Sequence, residues 1–343
     1  MLSRREFLRR TLLATLALAS GDTLASCASA PTPTPVPPTV APTQAPATIT
    51  RVAAAPSAPV PMMTATPSAP AAGAPYLIVA RGTTPGTLVR AALDELGGMK
   101  KFVKAGNDVI LKPNICNAQN SFELASTTNP DVLAELVKLC LEAGAKRVRV
   151  MDQPFSGTAA EAYKRSGIRD AVEKAGGEME VMSAAKYAAI NFSAPARDLK
   201  SAKIYQDILK ADVVINVPIA KHHGSAQVTL ALKGLMGVIQ DRNAIHTALD
   251  QRIADLATAI KPTLNVIDGI RVLTRNGPTG GRLDYVRQDN TLIVSHDPVA
   301  ADAYAAQIFF NKKPETIGYL LAGAEMRLGR YDFANLRVKE VTA

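Results

Sequence analysis

The chain has 343 residues, with 39 Lys and Arg against 30 Asp and Glu, a formal net charge of +9, three cysteines and no tryptophan. The part expected to fold, about residues 75–343, is long enough for one large domain or two intimate ones. No Lys/Arg run is interleaved with aromatic residues, which argues against a nucleic-acid surface. No CxxC or ferredoxin-type spacing occurs, which argues against an iron–sulfur cluster built from this chain's thiolates.

Residues 1–27 read as an export signal. Arg4 and Arg5 stand in the order Ser3-Arg4-Arg5-Glu6-Phe7-Leu8, ahead of the short apolar stretch TLLATLALAS. A basic start and an apolar segment too short to span a membrane comfortably mark a signal, and the paired arginines resemble a twin-arginine address read by that export machinery. The segment ends in LASC, Leu24 to Cys27. This is similar to a bacterial lipobox, with Cys27 as the lipidated residue and Ser26 where glycine or alanine is commoner. Acyl chains on Cys27, contributing about 0.8 kcal/mol per buried CH₂, would hold the protein to a membrane. Residues 28–74 form a Pro/Ala/Thr-rich linker. The stretch 31–75 holds 13 of the chain's 23 prolines, no aromatic residue and one charge, Arg51. Such a segment cannot offset its ordering entropy by burial and reads as a disordered tether, reaching on the order of 130 Å if fully extended. The expected location is the extracytoplasmic face of the cell membrane.

Residues 75–343 carry the domain. YLIVARG (76–82) predicts a strand and TLVRAALDELGGM a helix closing on glycine. NDVILKPN (107–114) is a strand stopped by proline, and 129–145 is a helix with proline at its start. A strand follows at 147–154, then two short helices and a short strand, EMEVMS. ADVVINVPIAK (211–221) is the most apolar strand, and helical patterns follow at 225–239 and in TALDQRIADLATAIKP. Strands at 263–270 and 290–298 precede a final helix, 298–310. Continuous Val/Ile runs alternating with helices predict an α/β fold with a largely parallel sheet covered on both faces.

Polar residues cluster where these strands end. The strand ends deliver Lys112 and Asn114, then Asp152, then Lys221, His222 and His223, then Asp268, then Ser295, His296 and Asp297. Ligands of open parallel sheets bind beyond the carboxyl ends of the strands, so these groups are expected at one edge. Adjacent histidines on a strand face opposite ways; one of His222 and His223 faces a ligand and the other is a structural hydrogen bonder. Asp152 and Asp268 can equally cap a turn or helix, and Asp297 ahead of Pro298 reads best as an N-cap. His246 lies beside a helix start. Cys140 reads as helix core and Cys116 as a small buried thiol after a strand end. RNGPTGGRL (275–283) is a glycine loop that can cradle an anion with backbone N–H groups, or simply turn.

VILKPNIC, TTNPDVLAELVKLCLEAGA, RVMDQP, YKRSGI, ADVVINVPIAKHHGSAQVTLALKGLMGVI, NVIDGI, NGPTGG and SHDPVAADAYAA occur in that order. With these eight motifs, spread over almost all of 76–340, the chain resembles the domain of unknown function 362 family. The family's motifs fall on Lys112, Asn114, Lys221, His223-Gly224, Lys233, Asp268, Asn276, Gly277 and Asp297. Relatives read lysine, any residue, histidine, glycine, so the resemblance favours His223 over His222. Some relatives carry ferredoxin-like modules; the cysteines for that role are missing here.

Together these residues predict an exported enzyme acting on a small anionic molecule by proton transfer or redox chemistry. His223, Lys221 and Lys112 are the expected catalytic groups, and Asn114, Lys233, Asn276, Gly277 and Gly280 the expected substrate-binding ones. Twin-arginine export favours a cofactor, and His223 and His246 with Asp268 can supply metal ligands, although no tight spacing such as HExxH occurs. The nickel-pincer racemases, which also use histidines and a lysine, offer an analogy only. The alternative function is a solute-binding lipoprotein that captures an anion without chemistry. The anchor is directly testable. On fractionation of cells making the full chain, Cys27→Ser should move the protein from the membrane to the soluble extracytoplasmic fraction; a variant that stays with the membrane refutes lipidation at Cys27.

Overall fold

The Val/Ile runs form strands, and proline, glycine or a polar residue closes nearly every one. A computed structural model of the protein describes residues 76–343; the expected signal, Cys27 and tether lie outside them. In chain order the elements are β1 (Leu77–Arg81), α1 (Pro85–Glu95), β2 (Asp108–Pro113), α2 (Pro130–Glu142) and β3 (Arg147–Val150). Next come α3 (Ala159–Arg165), α4 (Ile168–Lys174), β4 (Glu178–Met179), β5 (Tyr187–Asn191), β6 (Ser201–Tyr205) and α5 (Gln206–Lys210). They are followed by β7 (Val213–Val217), β8 (Ile219–His223), β9 (Gln227–Thr229), the one-turn helix α6 (Ala231–Gly234), α7 (Asn243–His246) and α8 (Leu249–Ala259). The chain closes with β10 (Leu264–Leu273), β11 (Val286–Ser295), α9 (Pro298–Phe310), α10 (Gly318–Glu325) and β12 (Val338–Thr342).

The main sheet runs β12-β1-β11-β10-β7-β2-β3-β4, and β8 with β9 forms a hairpin hung on β10. Every neighbouring pair on this path is parallel except those made by β11. The sheet is therefore largely parallel, with helices on both faces. Side chains alternate between two cores. Ile78, Val109, Leu111 and Val266 pack with Leu88 of α1, Leu136 of α2 and Ile168 of α4. Leu77, Val79, Ile110 and Ile267 pack with Leu256 of α8, Val299 of α9 and Leu320 of α10. This is the two-sided burial that continuous apolar strands require.

Two expectations change, and one element was not foreseen. Because β11 runs antiparallel, with Ser295 opposite Asn265 and Leu77, Ser295, His296 and Asp297 sit at the amino edge of the parallel strands, away from the other strand-end groups. There Asp297 caps α9, accepting from Ala300 N–H at 2.9 Å, and also accepts from the Tyr76 hydroxyl at 2.5 Å. The expected helix at 225–239 is instead β9, α6 and a 3-10 turn, Leu235–Val238. Its apolar residues are buried on all sides, so periodicity carried no face information, and strand pairing to β8 decided the outcome. The hairpin β5–β6, a separate sheet, had no recognisable sequence signal.

One side chain fixes the start of α6. The backbone N–H groups of Ala231 and Leu232 donate to the two carboxylate oxygens of Asp302 on α9, at 2.6 and 2.9 Å, and Asp302 is fully buried. An amide offers one oxygen where the carboxylate offers two. Asp302→Asn should therefore cost about 1–3 kcal/mol, read as a lower urea midpoint with unchanged slope; an unaltered midpoint would show that the cap is dispensable.

Candidate functional site

A cleft of roughly 250 Å³ opens beyond the carboxyl ends of β2, β3 and β7. Asn114 and Cys116 come from the loop after β2, Asp152 and Phe155 from the loop after β3, and Lys221 and His223 from β8. Lys233 of α6, Arg242, and His246 of α7 complete the polar wall, and Pro278 of the glycine loop forms part of the rim. Residues two apart on a strand share a face. Lys221 and His223 accordingly look into this cleft, while His222 faces a second, wider hollow of about 690 Å³.

Lys112 lies under the cleft. It is 1 % exposed, and its Nζ stands 2.9 Å from Asp152 Oδ1 and 2.6 Å from the Pro113 carbonyl. Burial pushes the Lys112 ammonium below its ordinary pKa, and Asp152 pulls it back up. The other Asp152 oxygen accepts from Ile115 N–H at 2.6 Å. A Cβ at Gly237 would come within 1.9 Å of Asp152 Oδ1 and 2.6 Å of Lys112 Nζ; glycine there leaves room for the pair.

The remaining cations have no such partner. Lys221 donates to the Ser126 carbonyl at 2.8 Å and to Cys116 Sγ at 2.6 Å. Arg242 donates to the carbonyls of Met236 and Gln153. Lys233, 8 % exposed, has no hydrogen-bond or ion-pair partner among the described residues. Burial lowers its pKa to about 8, with Lys221 adding repulsion. Burial likewise drives His223 down to about 3, helped by Lys233 and Lys221, so the imidazole is neutral at pH 7. Its Nδ1 accepts from Ala226 N–H at 3.1 Å, which assigns the ring proton to Nε2. His246 is arranged the other way, with Nδ1 donating to the Arg242 carbonyl at 2.8 Å and Nε2 left as acceptor. Asn114 Oδ1 accepts from Ile219 N–H at 3.1 Å, leaving its NH₂ as a donor at the cleft wall.

The sequence-predicted groups thus divide. Asn114, Lys221, His223, Lys233 and His246 share the cleft. Lys112 touches it only through Asp152. Asp268 does not line it: β10 continues to Leu273, so Asp268 is mid-strand, fully buried, accepting from Asn129 N–H at 2.7 Å and Ile270 N–H at 3.0 Å. Burial raises its pKa to about 6. Its task is to hold the start of α2, where Asn129 is the N-cap. The ligand set His223, His246 and Asp268 is therefore not assembled, and among the described residues no three His, Cys, Asp or Glu side chains are grouped to hold a metal ion. Asn276, Gly277 and Gly280 do not line the cleft either. Gly277 N–H donates to His222 Nδ1 at 3.2 Å, and a Cβ on Gly277 would meet the His222 carbonyl at 1.7 Å. The loop packs on β8 through backbone contact and presents Pro278, not N–H groups, to the cleft. Arg242 was missed in the sequence because it sits in a loop with no motif; Cys116 was seen but not its contact with Lys221. In the wider hollow the arginines are matched, Arg287 with Asp289 and Arg81 with Glu340.

The model for the domain of unknown function DUF362 matches residues 109–307, more than half of the chain. The chain belongs to the DUF362 family. The matched stretch contains every residue of the cleft. A thylakoid-associated protein of Synechocystis sp. is 29 % identical over 250 residues, 70 % of this chain and 74 % of that protein. Among solved structures, the lactate racemase apoprotein from Thermoanaerobacterium thermosaccharolyticum is similar at a TM-score of 0.41 and 12 % identity, over 66 % of this chain and 57 % of that one.

The neutral imidazole is directly measurable. In a pH titration followed by NMR of labelled histidine, His223 should keep neutral-ring shifts down to about pH 4; a midpoint between about pH 6 and 7 would contradict its burial among cations.

Proposed function

We propose that this member of the DUF362 family binds a small anion, a carboxylate or phosphate, in the cleft at the end of β2, β3 and β7, and moves a proton on it. The observation that carries this reading is Lys233: a buried ammonium with no counter-ion, beside Lys221 and Arg242, in a cleft whose one carboxylate is already paired with Lys112. Burying like charges without partners is costly, and an anion supplies what the protein leaves out.

In this reading Lys233, Lys221 and Arg242 hold the anion, and the Asn114 amide and the Nε2–H of His223 donate to its oxygens. Lys233 is the proton carrier, because a pKa of about 8 lets it gain and lose a proton near neutral pH. His223, held neutral, serves as a hydrogen-bond donor and not as a base. Among the described residues the cleft offers cations, amides and a thiol, with no group of three His, Cys, Asp or Glu side chains to hold a metal ion. Binding without chemistry, as in a solute-binding lipoprotein, uses the same cations but does not call for a lysine poised near neutrality.

The working location we propose is the outer face of the cell membrane, reached by twin-arginine export and held by a lipid on Cys27. The signal-like first residues support it; the Synechocystis relative is described as thylakoid-associated. Among the described residues no helix is long and apolar enough to cross a membrane.

Lys233 gives the pH test. Its ammonium is nearly complete below about pH 7 and is lost as pH rises through about 8, so affinity for a bound carboxylate or phosphate, found by calorimetry with a panel of both, should be flat in the acid range and fall as pH rises through that value. Lys233→Arg should keep binding and remove that fall, and Lys233→Gln should weaken binding about tenfold or more. Anion affinity indifferent to Lys233→Gln sinks the proposal.

A further inference from the structure

Cys116 and Lys221 make a contact that anion binding does not explain. The Nζ of Lys221 is 2.6 Å from Cys116 Sγ, closer than nitrogen–sulfur hydrogen bonds usually run. Lys221 is 1 % exposed, and among the described residues its one other partner is the Ser126 carbonyl and no carboxylate pairs with it. A thiol sulfur is a weak acceptor and a poor partner for an ammonium withdrawn from water. Cys116, 8 % exposed, lines the cleft, so a peroxide-sized molecule reaches the sulfur. The unpartnered Lys233 lines the same cleft, and a bound nitrogen that carries no charge would relieve repulsion between the two lysines.

We infer that Cys116 and Lys221 form a redox-sensitive covalent bridge, with one oxygen inserted between Nζ and Sγ, when the protein meets a peroxide. One peroxide oxidises the Cys116 thiol to a sulfenic acid and leaves as water. The Lys221 ammonium gives one proton to solvent, and a second peroxide then takes two electrons from the sulfenic acid and the neutral amine together. The sulfenic O–H and one N–H break, an N–O bond forms, the S–O bond is kept, and two waters leave. Four electrons pass in all, from sulfur and nitrogen to the two peroxides. The bridge joins the loop after β2 to β8 and occupies one wall of the cleft, so the oxidised protein is closed to the anion and the reduced protein open. Cys140 is the internal control. It is fully buried in α2, away from the cleft, and burial pushes its thiol up to about 12, which keeps it inert.

The test is peptide mapping of the full chain, purified under reductant, exposed to hydrogen peroxide and digested without reducing agent. The expected product is a cross-linked pair containing Cys116 and Lys221, heavier than the two peptides by one oxygen and lighter by two hydrogens. Dithiothreitol should release it, and it should be missing from Cys116→Ser and from Lys221→Arg. Recovery of Cys116 as sulfinic acid with the Lys221 peptide free overturns the inference. So does a bond lacking the oxygen, or both peptides recovered unmodified. The mass readout does not depend on what the cleft binds: a bridge found in a protein indifferent to every anion upholds this inference and removes the proposed substrate class, while anion binding with no bridge does the reverse.

Discussion

Lys112 and Asp152 face each other at 2.9 Å with almost no exposure, and the geometry of the cleft follows from that pair. They stand at the carboxyl ends of two neighbouring parallel strands, β2 and β3, whose register sets Leu111 against Val150 and brings the next residues within reach. Removing either partner would leave the other charge buried and alone, a loss of about 3–5 kcal/mol in comparable pairs. Gly237 is the space the pair occupies. Because the pair uses the carboxylate that lines the cleft, the other cations there have only carbonyls, a sulfur or nothing to bind. The unbalanced charge of the cleft is thus a consequence of how the sheet edge is built.

Much of this was legible in the sequence. Continuous apolar strands alternating with helices gave the layered α/β architecture, because burial on both faces leaves the same imprint wherever a parallel sheet occurs. The cleft could be located from Asn114, Lys221 and His223, since polar groups at the ends of apolar strands have one common destination; Lys233 came in only through the family's motifs. What failed did so for definite reasons. Strand direction is not written in composition: β11 reads like its neighbours but runs against them, and so Asp297 went to the wrong edge. Asp268 was misplaced because β10 runs five residues past it, and a buried aspartate satisfied by two backbone N–H groups looks in sequence like one awaiting a ligand. Arg242 and the bond between Cys116 and Lys221 join segments distant in the chain, which no local pattern can report.

The hairpin β8–β9 separates two environments by a single residue step. His223, neutral and deeply placed among cations, and His222, hydrogen-bonded to the Gly277 backbone, belong to different hollows although they are covalent neighbours. With a side-chain period of two, a register error of one residue here would exchange them. The close approach of Gly277 to the His222 carbonyl holds that register from one side, and pairing of Lys221 with Thr229 and His223 with Gln227 holds it from the other.

The described domain begins at Tyr76, one residue ahead of β1, and Leu77 is level with Ser295 and Val338. That is the rim from which the parallel strands start; the cleft lies on the rim where they finish. Tyr76 and the strand it leads into therefore contribute no wall to the cleft.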